Sequence, residues 1–239
     1  MRFTFDDLVA VMARLRGPGG CPWDREQTHA SLAPYLLEEA HEVLEAISHN
    51  DLKALRAELG DLLLQVVFHA QMAREAGRFD AGAVVDGLAR KLIDRHPHVF
   101  GDVRVGTADE VLAQWHELKR REDPQRGAFD GIPASLPALA RAQKVLARAA
   151  SRTAGEHDAA GQAPLALAQA AGAARRHLDR LIGALAQPGD AREGAGDVPE
   201  HLGDLLMAVV ALASAAGLDA ESVLREACDR FITAQTAPG

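Results

Sequence analysis

Apolar residues recur three and four positions apart through most of the chain, the spacing that gathers them on one side of an α-helix. Leu, Ala, Glu and Arg dominate these stretches, whereas alternating runs of β-branched and aromatic residues are nearly absent. The pattern predicts an all-α protein with helices near 5–16, 28–49, 51–76, 81–95, 107–122, 136–152, 164–186, 198–215 and 219–235. Breakers set the edges. Gly17-Pro18-Gly19-Gly20, Gly77, Pro97 and Gly101 punctuate the first half, and the segment from Asp123-Pro124 through Pro133 to Pro137 separates it from the second. The expected organisation is a first domain at 1–122, a linker at 123–136 and a second domain at 137–239. Two Ala/Gly-rich stretches, Thr153 to Pro164 and Gln187 to Pro199, read as mobile loops.

The chain also repeats itself. Glu58-Leu59-Gly60-Asp61-Leu62-Leu63-Leu64-Gln65-Val66-Val67 lines up without gaps on His201-Leu202-Gly203-Asp204-Leu205-Leu206-Met207-Ala208-Val209-Val210. After a four-residue deletion, Phe79-Asp80-Ala81 falls on Leu218-Asp219-Ala220. By the same logic the helix with Glu39 and Glu42 corresponds to the one with His177 and Arg180. The halves read as two copies of one helical unit whose apolar frame persists while the polar positions have diverged.

Composition narrows what such a protein can bind. Of 239 residues, 48% are hydrophobic and 25% charged, with a formal net charge of -8. That balance argues against nucleic acid or an anionic membrane as the main partner. A small phosphorylated substrate stays possible, because a divalent cation can bridge it to an acidic site. Cys21 and Cys228 lack the spacing of a metal knuckle or a disulfide framework, which suits a reducing compartment. Acidic Asp6 and Asp7 stand where a signal peptide would need its apolar stretch, and no segment runs 18 apolar residues without interruption. A soluble cytoplasmic protein is expected.

Glu39 and Glu42 are three apart and project from one helix face, and Glu58 and Asp61 repeat the arrangement on the next helix. A short connection around Ser48 to Asp51 favours antiparallel packing, which lets the four carboxylates converge. Unit charges 4 Å apart repel by about 4 kcal/mol at an effective dielectric of 20, so a cation belongs among them. Oxygen ligands without Cys or a clear His partner suit Mg²⁺ or Mn²⁺ better than Zn²⁺. Glutamates also serve on plain solvated helix faces. The second pair, however, lies in a run apolar almost all round, Leu59, Leu62, Leu63, Leu64, Val66, Val67 and Phe68, which is expected to be mostly buried and where carboxylates need partners.

At these motifs the sequence resembles the MazG family of nucleoside triphosphate pyrophosphohydrolases, within the all-α NTP pyrophosphatase superfamily. The resemblance covers nearly the whole chain. It is carried by Gly20-Cys21-Pro22-Trp23-Asp24-Arg25-Glu26-Gln27-Thr28, by the EExxE motif of Glu38, Glu39 and Glu42, and by the ExxD motif of Glu58 and Asp61. Arg95-His96-Pro97-His98-Val99-Phe100 and Ile132-Pro133-Ala134-Ser135-Leu136-Pro137-Ala138-Leu139 match as well. The resemblance implies two tandem MazG-like helical bundles and hydrolysis of an NTP or dNTP between its α and β phosphates, with Mg²⁺, to the monophosphate and pyrophosphate. It implies that Glu39, Glu42, Glu58 and Asp61 hold metal and that Glu38 orients or deprotonates the attacking water. Lys91 and Arg95 match basic positions suited to phosphate, although a solvated face near a helix C-terminus would favour cations too.

Trp23, in a Gly/Pro-rich loop, either stacks on the base or plugs the top of the bundle. Asp24 reads as a helix cap, Trp115 as packing, and His96 and His98 stay outside the site. The second copy departs from the family at nearly every functional position. His177 and Arg180 replace the first acidic pair, His201 replaces the ExxD glutamate, only Asp204 remains, and of the basic pair Arg230 persists while Ala234 has replaced its partner. This half is expected to be non-catalytic, with a softer metal site at His177, His201 and Asp204 as the sharper alternative. A homodimer is expected by analogy. The rival readings are a non-enzymatic helical scaffold or partner-binding module, and a di-iron bundle; the latter is disfavoured because neither Glu39 nor Glu58 has a histidine three residues later.

Overall fold

The computed structural model describes residues 2–108, 127–153, 159–186 and 197–236, together with residues 110, 111, 114, 115 and 118. Every regular element among them is an α-helix, so the all-α class expected from periodicity is borne out. Most of the helix expected at 107–122 lies outside the described residues, and those that are described are helical from Ala108 on. The chain divides into two compact units, Met1–Glu122 and Asp123–Gly239.

The first unit contains α1 (Phe5–Arg16), α2 (Pro22–Glu26), α3 (His29–Ser48), α4 (Leu52–Glu75), α5 (Ala81–Arg95) and α6 (Pro97–Phe100). Its helices start where side chains satisfy free backbone N–H groups. Thr4 and Asp7 form a capping box at α1, Thr28 and Ser31 form one at α3, and Asp80 accepts from the Ala83 amide at 2.9 Å to open α5. Periodicity does not anticipate the short α2 and α6. Each has proline at its first turn, where the missing N–H costs nothing and φ is already helical.

Helix α4 is the central element, packed against α3, α1 and α5. Met12, Leu32, Val67, Phe68 and Met72 form the core, with Leu8, Val9 and Leu64 against it. All buried residues of α4 lie from Gln65 onward. The expectation that α4 is mostly buried therefore holds only for its C-terminal half. Leu59, Leu63 and Val66 are 48%, 39% and 42% exposed, because α1 covers the far end of the helix and not this one.

Arg16 closes the end of the core. It continues the Leu8–Met12 stripe of α1, and its guanidinium donates to both carboxylate oxygens of Glu75, Nε to Oε1 at 2.9 Å and Nη2 to Oε2 at 2.8 Å. It also donates to the backbone carbonyls of Asp24 and Gln27 and lies 5.4 Å from the centroid of the Phe68 ring. Hydrogen bonding to Arg16 holds the Glu75 carboxyl below its ordinary range. One buried cation thus ties α1, α2 and α4 together.

The second unit contains α7 (Ala138–Thr153), α8 (Ala159–Ala186), α9 (Asp197–Ala215) and α10 (Ala220–Thr236). Helices α8 and α9 pack on each other, and α7 packs on both α9 and α10. Gln143 of α7 donates to the Leu218 carbonyl at 2.9 Å and accepts from the Ala220 amide at 3.0 Å, fixing the start of α10. The loop expected at Thr153 to Pro164 is corrected in part, since α8 begins at Ala159. Its Ala-rich opening is strongly helix-forming, which outweighs Pro164 close to the helix start. Pro199 likewise falls in the first turn of α9 rather than in a loop. Residues 154–158 and 187–196 of those expected loops lie outside the described residues. Among the described residues, α9 has one 18-residue window, Val198–Ala215, long and apolar enough to cross a membrane; it also holds Glu200, His201 and Asp204, which hydrocarbon disfavours.

Candidate metal centre

The connection between α3 and α4 is three residues long and almost fully hydrogen-bonded. His49 ends α3, Asn50 takes the left-handed conformation at φ 51°, and the Asp51 amide donates back to the Ala46 carbonyl at 3.0 Å. The Asp51 side chain then accepts from the amides of Lys53 at 2.9 Å and Ala54 at 3.0 Å, opening α4. A chain reversed this tightly sets two antiparallel helices in one register. Glu39 comes opposite Asp61 and Glu42 opposite Glu58, while farther along His29 meets His69 with Nδ1 atoms 2.7 Å apart and rings stacked.

Carboxylate oxygens of Glu39, Glu58 and Asp61 lie within 4.8 Å of one another. Glu42 lies close enough to both Glu39 and Glu58 for its charge to act on each. Carboxylates brought this close repel one another, so without a cation their charged forms are disfavoured. Glu39 is accordingly raised above its ordinary pKa, by desolvation first and then by the charges of Glu42, Asp61 and Glu38. Glu58 is raised by desolvation and by Glu42 and Asp61. Among the described residues no Lys or Arg is paired with any of these four acids. A convergence of hard oxygen donors with no protein counter-charge fits a divalent cation. On the turn side of the cluster lies a hollow of about 230 Å³ lined by Glu42, Glu45, Ala46, His49, Asp51, Ala54 and Glu58.

The chain matches the MazG nucleotide pyrophosphohydrolase domain over residues 27–100, the segment that carries all four acids. It is 44% identical over 233 residues to the nucleoside triphosphate pyrophosphohydrolase of Escherichia coli K12, spanning 95% of this chain and 83% of that one. Identity to the nucleoside triphosphate pyrophosphohydrolase/pyrophosphatase MazG of Thermotoga maritima is 38% over 230 residues, 95% of this chain and 82% of that one. The chain belongs to the MazG family. A nucleoside triphosphate pyrophosphohydrolase of Mycolicibacterium smegmatis is 47% identical over 147 residues, 59% of this chain and 44% of that one.

The other residues that the MazG resemblance singled out lie on α2, α3 and α5. Glu38 is exposed on α3 next to Glu39. Lys91 is exposed on α5, and the Arg95 guanidinium lies 5.1 Å from the centroid of the Trp115 ring. Trp115, expected to be packing only, also meets His96 edge-on at 5.2 Å, so Arg95, His96 and Trp115 form one group. Trp23 is the second residue of α2 rather than part of a loop, and its ring meets Tyr35 of α3 edge to face at 6.3 Å. Sequence reasoning passed over Arg16. Its signal was a cation at an apolar-stripe position of an amphipathic helix, which demands buried partners.

In the second unit, His177 Nδ1 lies 3.6 Å from the Asp204 carboxylate. His177, His201 and Asp204 are not drawn together as closely as the first cluster, which among the described residues is the one group of three or more potential ligands so gathered.

Proposed function

We propose that the chain is a divalent-metal-dependent pyrophosphohydrolase that converts an NTP or dNTP and water to the monophosphate and pyrophosphate in its first unit. One observation carries this reading: three carboxylates from two packed helices within 4.8 Å, with no cation from the described protein among them. Membership of the MazG family and the names of its relatives supply the reaction class. Glu39, Glu42, Glu58 and Asp61 would hold the ion, Mg²⁺ with Mn²⁺ as substitute. When bound, it neutralises phosphate oxygens and acidifies water. Glu38, adjacent to the ligands and exposed, accepts the proton of the water that attacks the α-phosphorus, and pyrophosphate leaves. Lys91 and Arg95 contact phosphate oxygens, and Trp23 contacts the nucleoside.

The second half reads as a diverged, non-catalytic copy of the same unit, with structural or regulatory duties. The apolar residues left open beside the cluster, Leu59, Leu63 and Val66 with Leu36, Leu37 and Leu44, support a homodimer in which a second copy covers them. The acidic net charge argues against nucleic acid and anionic membranes as partners, and the sparse, unpaired cysteines support a reducing, cytoplasmic setting. Purified protein mixed with a panel of NTPs and dNTPs plus Mg²⁺ should release pyrophosphate from at least one. Silence across the panel would favour the rival, a helical scaffold without activity.

A further inference from the structure

The internal repeat pairs positions as well as helices. Glu58 and Asp61 align with His201 and Asp204, and Glu39 with His177. The three residues whose oxygens gather in the first unit therefore correspond to two histidines and an aspartate in the second, and each of these is itself a metal-binding side chain. They sit on α8 and α9, which pack on each other. All three are half-buried, whereas the leucines next to the histidines, Leu178 and Leu202, are exposed. Helices that expose leucine while turning imidazoles inward are not arranged by hydrophobicity alone.

Neither imidazole is satisfied there. His177 Nδ1 and His201 Nδ1 are both closed to solvent and lack a hydrogen-bond partner, a costly condition for a nitrogen lone pair or N–H. His177 Nδ1 lies 3.6 Å from Asp204 Oδ2, too far for a hydrogen bond but close to the roughly 3.4 Å between two ligands of one tetrahedral ion. His201 stands farther off, three residues before Asp204 on the same face of α9.

We propose that His177, His201 and Asp204 form a second metal site, suited to a borderline-soft divalent ion such as Zn²⁺, that clamps α8 to α9. Two neutral imidazoles and a single carboxylate serve Mg²⁺ poorly and Zn²⁺ well, and water completes the tetrahedron. Arg180, which replaces Glu42, is exposed and supplies no ligand. Binding draws the His201 ring toward Asp204 and gives both unpaired nitrogens a partner. The ion stabilises the second unit and performs no chemistry.

Zn²⁺ titration of the chelator-stripped full chain against a chromophoric competitor tests this, with excess Mg²⁺ present and in a Glu58→Gln background that disables the first centre. This protein should bind one Zn²⁺ and gain melting temperature. Adding His177→Ala, His201→Ala or the isosteric Asp204→Asn should weaken binding at least about tenfold and remove the thermal gain, with the helical circular dichroism signal retained. Co²⁺ gives a second readout: the intense visible bands of a four-coordinate site should appear in the Glu58→Gln protein and vanish with Asp204→Asn. Absence of Zn²⁺ binding in the Glu58→Gln protein, or binding that survives the added substitutions, would overturn the site. None of these measurements reads pyrophosphate release, so the hydrolase reading stands or falls separately.

Discussion

Helices α4 and α9 align in sequence through a nearly identical apolar frame, yet of the four acids on the α3–α4 pair only one has a counterpart on α8–α9, Asp204. In the first pair the acids converge on one another, and desolvation and mutual repulsion raise Glu39 and Glu58. In the second, Asp204 is the one acid retained at these positions, with His177 Nδ1 3.6 Å away, beyond hydrogen-bond reach. Helices α4 and α9 both pack with the same Leu and Val pattern, so that pattern does not require the acids. The first pair keeps a concentration of negative charge that opposes its own folding, the mark of a site built for something absent from the chain itself.

The contrast can be broken most forcefully at the acids. Glu42→Gln or Glu58→Gln should reduce pyrophosphate release by at least about 100-fold, while metal-free thermal stability stays level or rises. A fall in stability would mean that the acids serve the fold. Next comes metal linkage. A carboxyl whose folded pKa is raised is favoured as its protonated form, so the metal-free protein should lose stability as pH climbs from the ordinary carboxylate value through the raised one. Mg²⁺ should reverse that loss, with affinity rising over the same window as protons are displaced. Melting curves from pH 4 to 7, with and without Mg²⁺, read both effects, and a pH-independent shift would contradict the mutual repulsion of Glu39 and Glu58 with their neighbours.

Smaller effects sharpen the other side. His201→Ala should leave turnover within about twofold of wild type, whereas a loss matching that of Glu42→Gln would relocate the chemistry to the second unit. Smallest of all, Asn50→Gly should move the melting temperature by a degree or so at most, since both residues tolerate positive φ.

How much of this was legible in the sequence depended on the range of the interaction. Helices α1, α3, α4 and α5 follow from periodicity and caps, which are encoded within a few residues. Helices α2 and α6 did not, because five and four residues are too few to establish a period. The four acids could be placed on two faces by spacing, and their convergence followed from the short turn. The exposure of Leu59, Leu63 and Val66 could not be read, because it depends on how far α1 reaches along α4. Nor could the union of Arg95, His96 and Trp115, or the span of Arg16 to Glu75, 59 residues away, which only the folded chain brings together.

The α3–α4 connection has a consequence for how this protein can vary. Surface turns ordinarily absorb inserted or deleted residues with little harm. Here Asn50 closes one helix and Asp51 opens the next, so one added residue would rotate α4 by about 100° and slide it by about 1.5 Å. Glu58 and Asp61 would then turn away from Glu39 and Glu42 although every one of them remained. Length, more than residue type, is what this turn must inherit.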